Sequence, residues 1–381
     1  MTLKVCAVSG GRADWGLLTT PLAAIRDDNE LELQLVVTGQ HLAGHNSTSL
    51  DAIKAQGFNI DARVDMLLSA DHPVAITKST GLGMIGFADV FRDLQPDLVL
   101  VLGDRYEIMA AVQAAMIARI PIAHICGGDT TEGAIDEAIR HAITKMSHIH
   151  FVTNSDAERR VKQLGENPDY VFNVGSPGID NIRLTETLRP DVLLPSIGLN
   201  KYDRNILVTF HPITLETDSE QQCTELVEAL KKLGNDIGII ITGTNADTDG
   251  KGVDHIIQKF IQSQDNVIGV ETLGAQRYFS ALTYVDCVVG NSSSGLYEAP
   301  SFKIPTVNIG KRQGGRLKAD SVLDCPPKCS AILATIEKAL NFDCSSVSNP
   351  YGNGFASEKI LKILKSIKNP RSLLVKKFFD V

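Results

Sequence analysis

Long apolar runs are missing from this 381-residue chain. None approaches the roughly 18 residues that a membrane-spanning helix requires, so no membrane association is expected. A basic excess is missing too. Lys plus Arg number 37 against 45 Asp plus Glu, a formal charge of −8. A surface that holds nucleic acid by counterion release is basic at least regionally, and no basic run of that kind occurs, so nucleic acid is excluded as a partner. Cysteine is scattered: of seven, Cys325 and Cys329 form the single close pair, and no second Cys or His pair follows to complete a zinc site. No metal is therefore expected, and the thiols read as reduced and mostly buried, in a cytoplasmic protein. The first residues lack the basic and extended apolar regions of a secretory signal and read as a buried strand. Low-complexity segments and short-period repeats are also absent.

What remains is ordinary globular composition, 43% hydrophobic and 22% charged. A chain of this length buries a large core without disulfide or metal staples. Val, Ile and Leu crowd short runs without polar alternation at Lys4–Ser9, Leu33–Thr38, Asp97–Leu102, Ile122–Cys126, His150–Thr153, Asn205–Phe210, Ile237–Thr242, Val285–Gly290 and Thr306–Ile309. Strands covered on both faces read that way, as in parallel sheets. Helix-period segments lie between them. Ile135, Ala138, Ile139, Ala142, Ile143 and Met146 mark one apolar face, with Asp136 and Arg140 one turn apart on the same helix; Leu226, Ala229, Leu230 and Leu233 mark another. The alternation predicts doubly wound α/β sheets. About ten strands would overfill one open sheet, so two domains are predicted. Arg189-Pro190 and Leu194-Pro195 interrupt the helical rhythm, which sets the expected domains at 1–185 and 186–381. The last helix, about Ala356–Ile367, is expected to pack back on the first domain.

In open α/β sheets, ligands bind beyond the carboxyl ends of strands, and the polar residues of this chain gather there. Ser9-Gly10-Gly11-Arg12-Ala13-Asp14 follows the first strand. It is neither Gly-x-Gly-x-x-Gly nor a Gly-Lys-Ser/Thr loop, so dinucleotide and P-loop readings fail. A tight turn offering N–H groups and Arg12 to an anion remains, against a plain strand–helix turn. Gly103-Asp104-Arg105-Tyr106-Glu107 and Cys126-Gly127-Gly128-Asp129-Thr130-Thr131-Glu132-Gly133, followed by Asp136, bring carboxylates to neighbouring strand tips. Like charges held close raise one another's pKa, which suits acid–base work, although helix capping by Asp104, Asp129 and Thr131 accounts for some of them. In the second half, Phe210-His211-Pro212, Thr242-Gly243-Thr244-Asn245-Ala246-Asp247 and Gly290-Asn291-Ser292-Ser293-Ser294-Gly295 each end a strand. The serine run reads as an anion cradle of hydroxyls and backbone N–H groups, with Glu298 one turn on and within reach of ribose. Lys311, Arg312 and Arg316 cluster charge beside glycines, a pattern suited to phosphate.

Together these stretches, with Ile139-Arg140-His141-Ala142-Ile143-Thr144-Lys145 and Arg312-Gln313-Gly314-Gly315-Arg316, resemble the UDP-N-acetylglucosamine 2-epimerases, most of all the hydrolysing kind of sialic acid synthesis. The resemblance runs from residue 10 to about 316. It implies a glycosyltransferase-B-like fold of two Rossmann-like domains facing a cleft. It implies that Ser292, Ser293 and the neighbouring backbone, Gly290, Asn291, Ser294 and Gly295, hold the UDP diphosphate and that Glu298 holds the ribose. Arg12, Arg105, His211 and Arg312 would complete the UDP and phosphate contacts, and His211 would stand near the leaving group. Asp104 and Asp136 fall on acidic positions implicated in catalysis. Many members carry Glu two residues after the His of His124-Ile125, where this chain has Cys126; Asp129 and Glu132 are candidates for the missing carboxylate. The implied reaction removes the C2 proton of UDP-N-acetylglucosamine as UDP leaves, then adds water to the 2-acetamidoglycal to give N-acetylmannosamine, with no cofactor. A homodimer or tetramer is implied as well. The alternatives are a hydrolysing 2-epimerase of the 2,4-diacetamido-2,4,6-trideoxy UDP-sugar on the route to legionaminic acid, a non-hydrolysing epimerase, a nucleotide-sugar glycosyltransferase, and a non-catalytic UDP-sugar-binding protein.

Overall fold

The computed structural model describes residues 2–43, 47–70, 72–131, 135–211, 218–243 and 250–380, and it divides the chain into two compact units, Met1–Asn181 with Tyr351–Val381, and Ile182–Pro350. The expected border at 185/186 lies a few residues after this one. The C-terminal stretch from Tyr351, expected in the second domain with its helix folded back, belongs to the first unit.

In the first unit the elements run β1 (Leu3–Ser9), α1 (Arg12–Arg26), β2 (Leu31–Thr38), α2 (Ser47–Ala55), β3 (Ala62–Val64), α3 (Pro73–Leu94), β4 (Leu98–Leu102), α4 (Tyr106–Ile117), β5 (Ile122–Ile125), α5 (Ile135–Met146), β6 (Ile149–Val152), α6 (Ser155–Gln163), β7 (Val171–Asn173) and α7 (Pro177–Leu184). The sheet is wholly parallel in the order β3-β2-β1-β4-β5-β6-β7. Its period of two divides β1 between two cores. Val5 and Ala7 join Leu18, Leu22 and Ile25 of α1, whereas Cys6 and Val8 join Phe87 and Phe91 of α3 and the apolar face of α4.

The second unit runs α8 (Pro190–Ile197), β8 (Arg204–Thr209), α9 (Ser219–Lys232), β9 (Ile237–Thr242), α10 (Gly250–Gln262), β10 (Val267–Val270), α11 (Gly274–Tyr284), β11 (Cys287–Gly290), α12 (Ser294–Tyr297), β12 (Thr306–Ile309), β13 (Val322–Cys325) and α13 (Cys329–Ala339). Its parallel sheet has the order β10-β9-β8-β11-β12-β13. Ile206 and Val208 of β8 face a core with α9, α10 and α13; Leu207 faces the other, with α8 and α11.

Helix α14 (Ala356–Ser366) closes the first unit. Buried Asp180 accepts from the N–H groups of Ala356 and Ser357 at 2.9 and 2.7 Å, satisfying two otherwise orphaned donors at the helix start. Ala356, Ile360 and Leu364 then pack into the α1 core, and Lys365 reaches Asp28 and Glu30.

The buried side of α5 differs from the expected apolar stripe. Ile135 is 78% exposed, while Arg140, Ile143 and Thr144 are buried. The helix turns a cation inward because the sheet edge beneath it carries acids, which outweighs burial of one more isoleucine.

Candidate active site

Both sheets switch strand order between the first and fourth strands, β1/β4 in one and β8/β11 in the other. Loops there leave in opposite directions and open a crevice at the strands' carboxyl ends.

In the first unit Arg140 is the hub. It is 5% exposed, and donates to Asp104, to Glu137 Oε2 at 3.1 Å, to Thr131 Oγ1 at 2.7 Å and to the Asp129 carbonyl at 2.7 Å. The expected local pair of Arg140 with Asp136 gives way to these partners, because the helix faces the β4 and β5 loops. Asp104 lies half-buried beside Arg140. Burial pushes its carboxyl above the usual range, Arg140 opposes that, and nearby Asp136 adds to it. A carboxyl held above its usual range, with a second acid in electrostatic reach, suits proton transfer.

Asp129 has a different task. Its Oδ1 accepts from Thr153 Oγ1 at 2.6 Å and from Asn154 Nδ2 at 3.1 Å, tying the β5 loop to the start of α6. That structural tie accounts for the carboxylate and speaks against Asp129 as the replacement acid. Glu132 lies outside the described residues. Cys126 adopts φ +65°, uncommon for a residue with a Cβ, and burial pushes its thiol well above the ordinary range, so a thiolate there is disfavoured. Fully buried His124 anchors the neighbouring loop: its Nε2 donates to the Gly103 carbonyl at 2.8 Å, and Nδ1 faces Thr144 Oγ1 at 3.2 Å.

The turn after β1 departs from the anion-cradle expectation. Asp14, in the first turn of α1, accepts from the N–H groups of Gly10 and Gly11 at 2.7 and 2.8 Å, so the protein's own carboxylate occupies them. Arg12 is exposed, with Nη2 donating to Thr48 Oγ1 at 3.1 Å. Arg105 grips Glu107 through two hydrogen bonds of 3.2 and 3.1 Å.

The second unit carries a cavity of about 540 Å³, lined among others by Thr209, His211, Thr242, Glu271, Tyr278, Ser292, Ser294 and Glu298. Gly290 makes it possible. Its φ is +137°, and a Cβ would fall 1.9 Å from the Thr209 carbonyl oxygen, so β11 approaches β8 only with glycine there. Asn291, expected as a ligand contact, is fully buried and works as a clamp: Oδ1 accepts from the His211 N–H at 2.7 Å and Nδ2 donates to the His211 carbonyl at 2.8 Å. It fixes the His211 backbone at the cavity wall. Arg312 Nη1 and Gln313 Nε2 donate to the Asn291 carbonyl at 3.1 and 2.8 Å, which makes Arg312 a second brace of the same turn. Gly295 is a packing glycine, since a Cβ would fall 2.5 Å from Thr306. Ser292 and Ser294 line the cavity, whereas Ser293 is not among its lining residues. Helix α12 has four residues, so hydroxyls and local N–H groups, rather than a long helix dipole, supply its anion affinity. Pro212 and residues 244–247 lie outside the described residues.

Deep in the cavity, Glu298 Oε2 is buried with no hydrogen-bond partner among the described residues. Burial pushes this carboxyl up, partly offset by Ser294, and Ser294 is also hydrogen-bonded to Tyr278. A buried acceptor without a donor is costly unless a ligand hydroxyl satisfies it. Among the described residues, no group of three or more His, Cys, Asp or Glu side chains is arranged to hold a metal ion, and no helix is long and apolar enough to cross a membrane.

Comparison with known proteins gives the family. The sequence profile of UDP-N-acetylglucosamine 2-epimerase matches residues 23–365. The chain belongs to the UDP-N-acetylglucosamine 2-epimerase family. Within that family it is 38% identical to the GDP/UDP-N,N'-diacetylbacillosamine 2-epimerase (hydrolyzing) of Campylobacter jejuni, over 84% of each chain. It is 36% identical to the UDP-N,N'-diacetylbacillosamine 2-epimerase (hydrolyzing) of Legionella pneumophila, over 96% of this chain and 97% of that one. The solved UDP-GlcNAc 2-epimerase of Neisseria meningitidis, bound to UDP-GlcNAc, matches the fold with a TM-score of 0.77 at 21% identity, over 96% of this chain and 100% of that one. The epimerase-family fold is therefore glycosyltransferase-B-like, built from two doubly wound parallel α/β domains.

Sequence reasoning did not single out Arg140 as the hub, the pairing of Glu107 with Arg105, or Tyr278 at the cavity. A signal for Glu107 existed: it is the one charged residue in the otherwise apolar α4, and such a residue needs a buried partner.

Proposed function

We propose that this family member is a hydrolysing 2-epimerase: it removes the C2 proton of a UDP-linked 2-acetamido sugar, expels UDP, and hydrates the resulting glycal to release the 2-epimeric free sugar. The observation that carries this reading is the acid cluster around buried Arg140, in a chain whose second unit holds a cavity lined largely by polar side chains, with a buried carboxylate oxygen that has no partner among the described residues. A glycosyltransferase or a non-catalytic sugar binder has use for the cavity but less for the acid cluster. Asp104 and Asp136 are the proton-transfer pair. Within the second unit, Ser292, Ser294 and His211 stabilise the departing diphosphate and Glu298 takes the ribose hydroxyls; within the first, Arg12 and Arg105 supply positive charge to the anionic nucleotide sugar. The scheme uses no cofactor.

The substrate we favour is UDP-2,4-diacetamido-2,4,6-trideoxyglucose, supported by the names of the Campylobacter and Legionella relatives at 38% and 36% identity. UDP-N-acetylglucosamine is the second reading. It is supported by 36% identity to polysialic acid biosynthesis protein P7 of Escherichia coli and 27% to the UDP-N-acetylglucosamine 2-epimerase of Neisseria meningitidis. Incubation with each sugar in heavy water, followed by NMR, tests both. The expected result is free UDP and a 2-epimer deuterated at C2 from the diacetamido sugar, at higher kcat/KM than from UDP-N-acetylglucosamine. Release of UDP without deuterium at C2 would sink the mechanism, and a preference for UDP-N-acetylglucosamine would reverse the substrate order. Apolar surface on α3 (Leu82, Ile85) and at the end of α4 (Met116, Ile117) supports a homodimer, which light scattering checks.

A further inference from the structure

Glu107 is completely buried, yet it ends in a carboxylate. Withdrawing a carboxylate from water is expensive unless a cation and good geometry compensate. The compensation is unusually directed. Arg105 Nε and Nη2 donate to Glu107 Oε2 and Oε1 at 3.2 and 3.1 Å, a fork-on-fork pair between residues two apart. The surrounding backbone is shaped for it. Gly39 has φ +56°, and a Cβ there would fall 2.9 Å from Glu107 Cγ and 2.8 Å from the Gly10 carbonyl oxygen. The glycine ending β2 and the turn ending β1 thus house an acid from α4.

Helix start is not the reason for this arrangement. Arg105 occupies the N-cap position of α4 but makes no side-chain cap hydrogen bond. Its side chain is 40% exposed, so a free-standing arginine there would be well solvated without Glu107. Glu107 uses the Nε/Nη2 edge and leaves the Nη1 edge outside the pair. The guanidinium also stands 5.4 Å from the Tyr106 ring centroid, which restricts it from a second side. Its charge acts on Asp104, and Asp136 acts on it.

We infer that Glu107 is a positioning residue: it holds Arg105 as a rigid cation at the β4 tip, with one guanidinium edge presented to an anionic group of the nucleotide sugar. The inference rests on the proposed reaction for the identity of the anion. A mobile arginine loses side-chain entropy when it binds, and a fixed one has lost it on folding.

The test is a double-mutant cycle read by UDP affinity in calorimetry and, separately, by KM and kcat. Arg105→Met is expected to raise the Kd for UDP and the KM at least tenfold. Glu107→Gln is expected to raise both within about threefold of that, with kcat changed less than threefold, a split that general loss of structure does not produce. Arg105→Met with Glu107→Gln removes both charges and is expected to match Arg105→Met alone. Wild-type KM and Kd in folded Glu107→Gln would overturn the inference, as would losses that simply add in the double variant. Should Glu107→Gln not fold, the double variant against Arg105→Met decides: equal Kd supports the positioning role, and a further loss refutes it. Wild-type protein that binds UDP but turns over neither sugar refutes the proposed reaction, while the affinity cycle still decides the role of Glu107.

Discussion

His124 is a buried imidazole with both ring nitrogens engaged, one donating to the Gly103 carbonyl and one facing Thr144. Burial, which disfavours the cation, takes its pKa from 6.5 to about 3. The unfolded chain therefore takes up a proton at this position as pH falls through 6.5, while the folded protein does not until about 3. Stability from this residue is complete above pH 6.5 and drains away between 6.5 and 3. His124→Gln keeps an N–H where Nε2 stood but cannot titrate. It is expected to retain most activity and to lower the slope of unfolding free energy against pH by about one proton in that window. His124→Ala leaves the Gly103 carbonyl without its donor and is expected to cost about 2 kcal/mol and to loosen Asp104 next to it. Denaturant titrations from pH 4 to 7 measure the slopes; identical slopes for wild type and His124→Gln would show that another group carries the acid sensitivity. At this scale the sequence displayed the acids but not their partners. Asp136 and Arg140 have the spacing of a local helix pair, and tertiary contact with Asp104 overrode it.

The C-terminal segment after α14 is strapped to the first unit through one acid. Glu166 is 1% exposed. Burial would raise its carboxyl, but hydrogen bonds from His150 at 3.0 Å, Lys145 at 2.8 Å and Lys376 at 2.6 Å outweigh that and hold it at about 2. Lys376 also donates to the carbonyls of Lys145 and Ser147, and the Phe379 N–H to Gly165. The folded pKa lies below the unfolded 4.5, so this stabilisation is present above pH 4.5 and lost as pH falls toward 2. Glu166→Gln is expected to cost about 2 kcal/mol, less than a fully buried pair because Lys145 is 42% exposed, and to speed amide exchange across 370–380. Unchanged exchange in that segment would remove Glu166 from the strap. Strand legibility follows the same logic of partners. The nine apolar runs match strands that lie inside the two sheets, whereas β3, β7, β10 and β13 were not expected from the sequence, and each is a sheet edge of three or four residues. An edge strand is paired on one side only and needs no continuous apolar run, so its sequence carries little signal. The inward turn of Arg140 on α5 was hidden for a related reason: periodicity records where apolar residues recur, and it is silent on which face an acid-lined sheet edge demands.

At the scale of the whole molecule, the proton-transfer candidates Asp104 and Asp136 belong to the first unit, with Arg12 and Arg105, and the cavity residues His211, Ser292, Ser294 and Glu298 to the second, each unit with its own sheet and its own pair of cores. If one substrate uses both sets, mutations in the two units must fail in different ways. Asp104→Asn or Asp136→Asn removes a group that handles a proton and leaves the cavity lined by Ser292, Ser294 and Glu298 untouched. Each is expected to lower kcat by about a hundredfold or more, with the Kd for UDP within about threefold of wild type. Ser292→Ala with Ser294→Ala deletes two cavity hydroxyls. Hydrogen bonds to a charged group are worth about 1.5–3 kcal/mol each, so UDP affinity is expected to fall at least tenfold. UDP should also protect amides of the β8 and β11 turns against exchange in wild type and far less in the serine double variant. Calorimetry with UDP alone and single-turnover kinetics with the UDP-sugar separate the two failures. An aspartate variant that loses UDP affinity in step with turnover would mean that its carboxylate shapes the nucleotide site, and the division of labour would fail. A serine variant with full UDP affinity would move the diphosphate away from the β11 turn. The two outcomes strike different halves of the proposal, because the fold holds the acids by Arg140 and the cavity by Asn291, two anchors in two separate sheets.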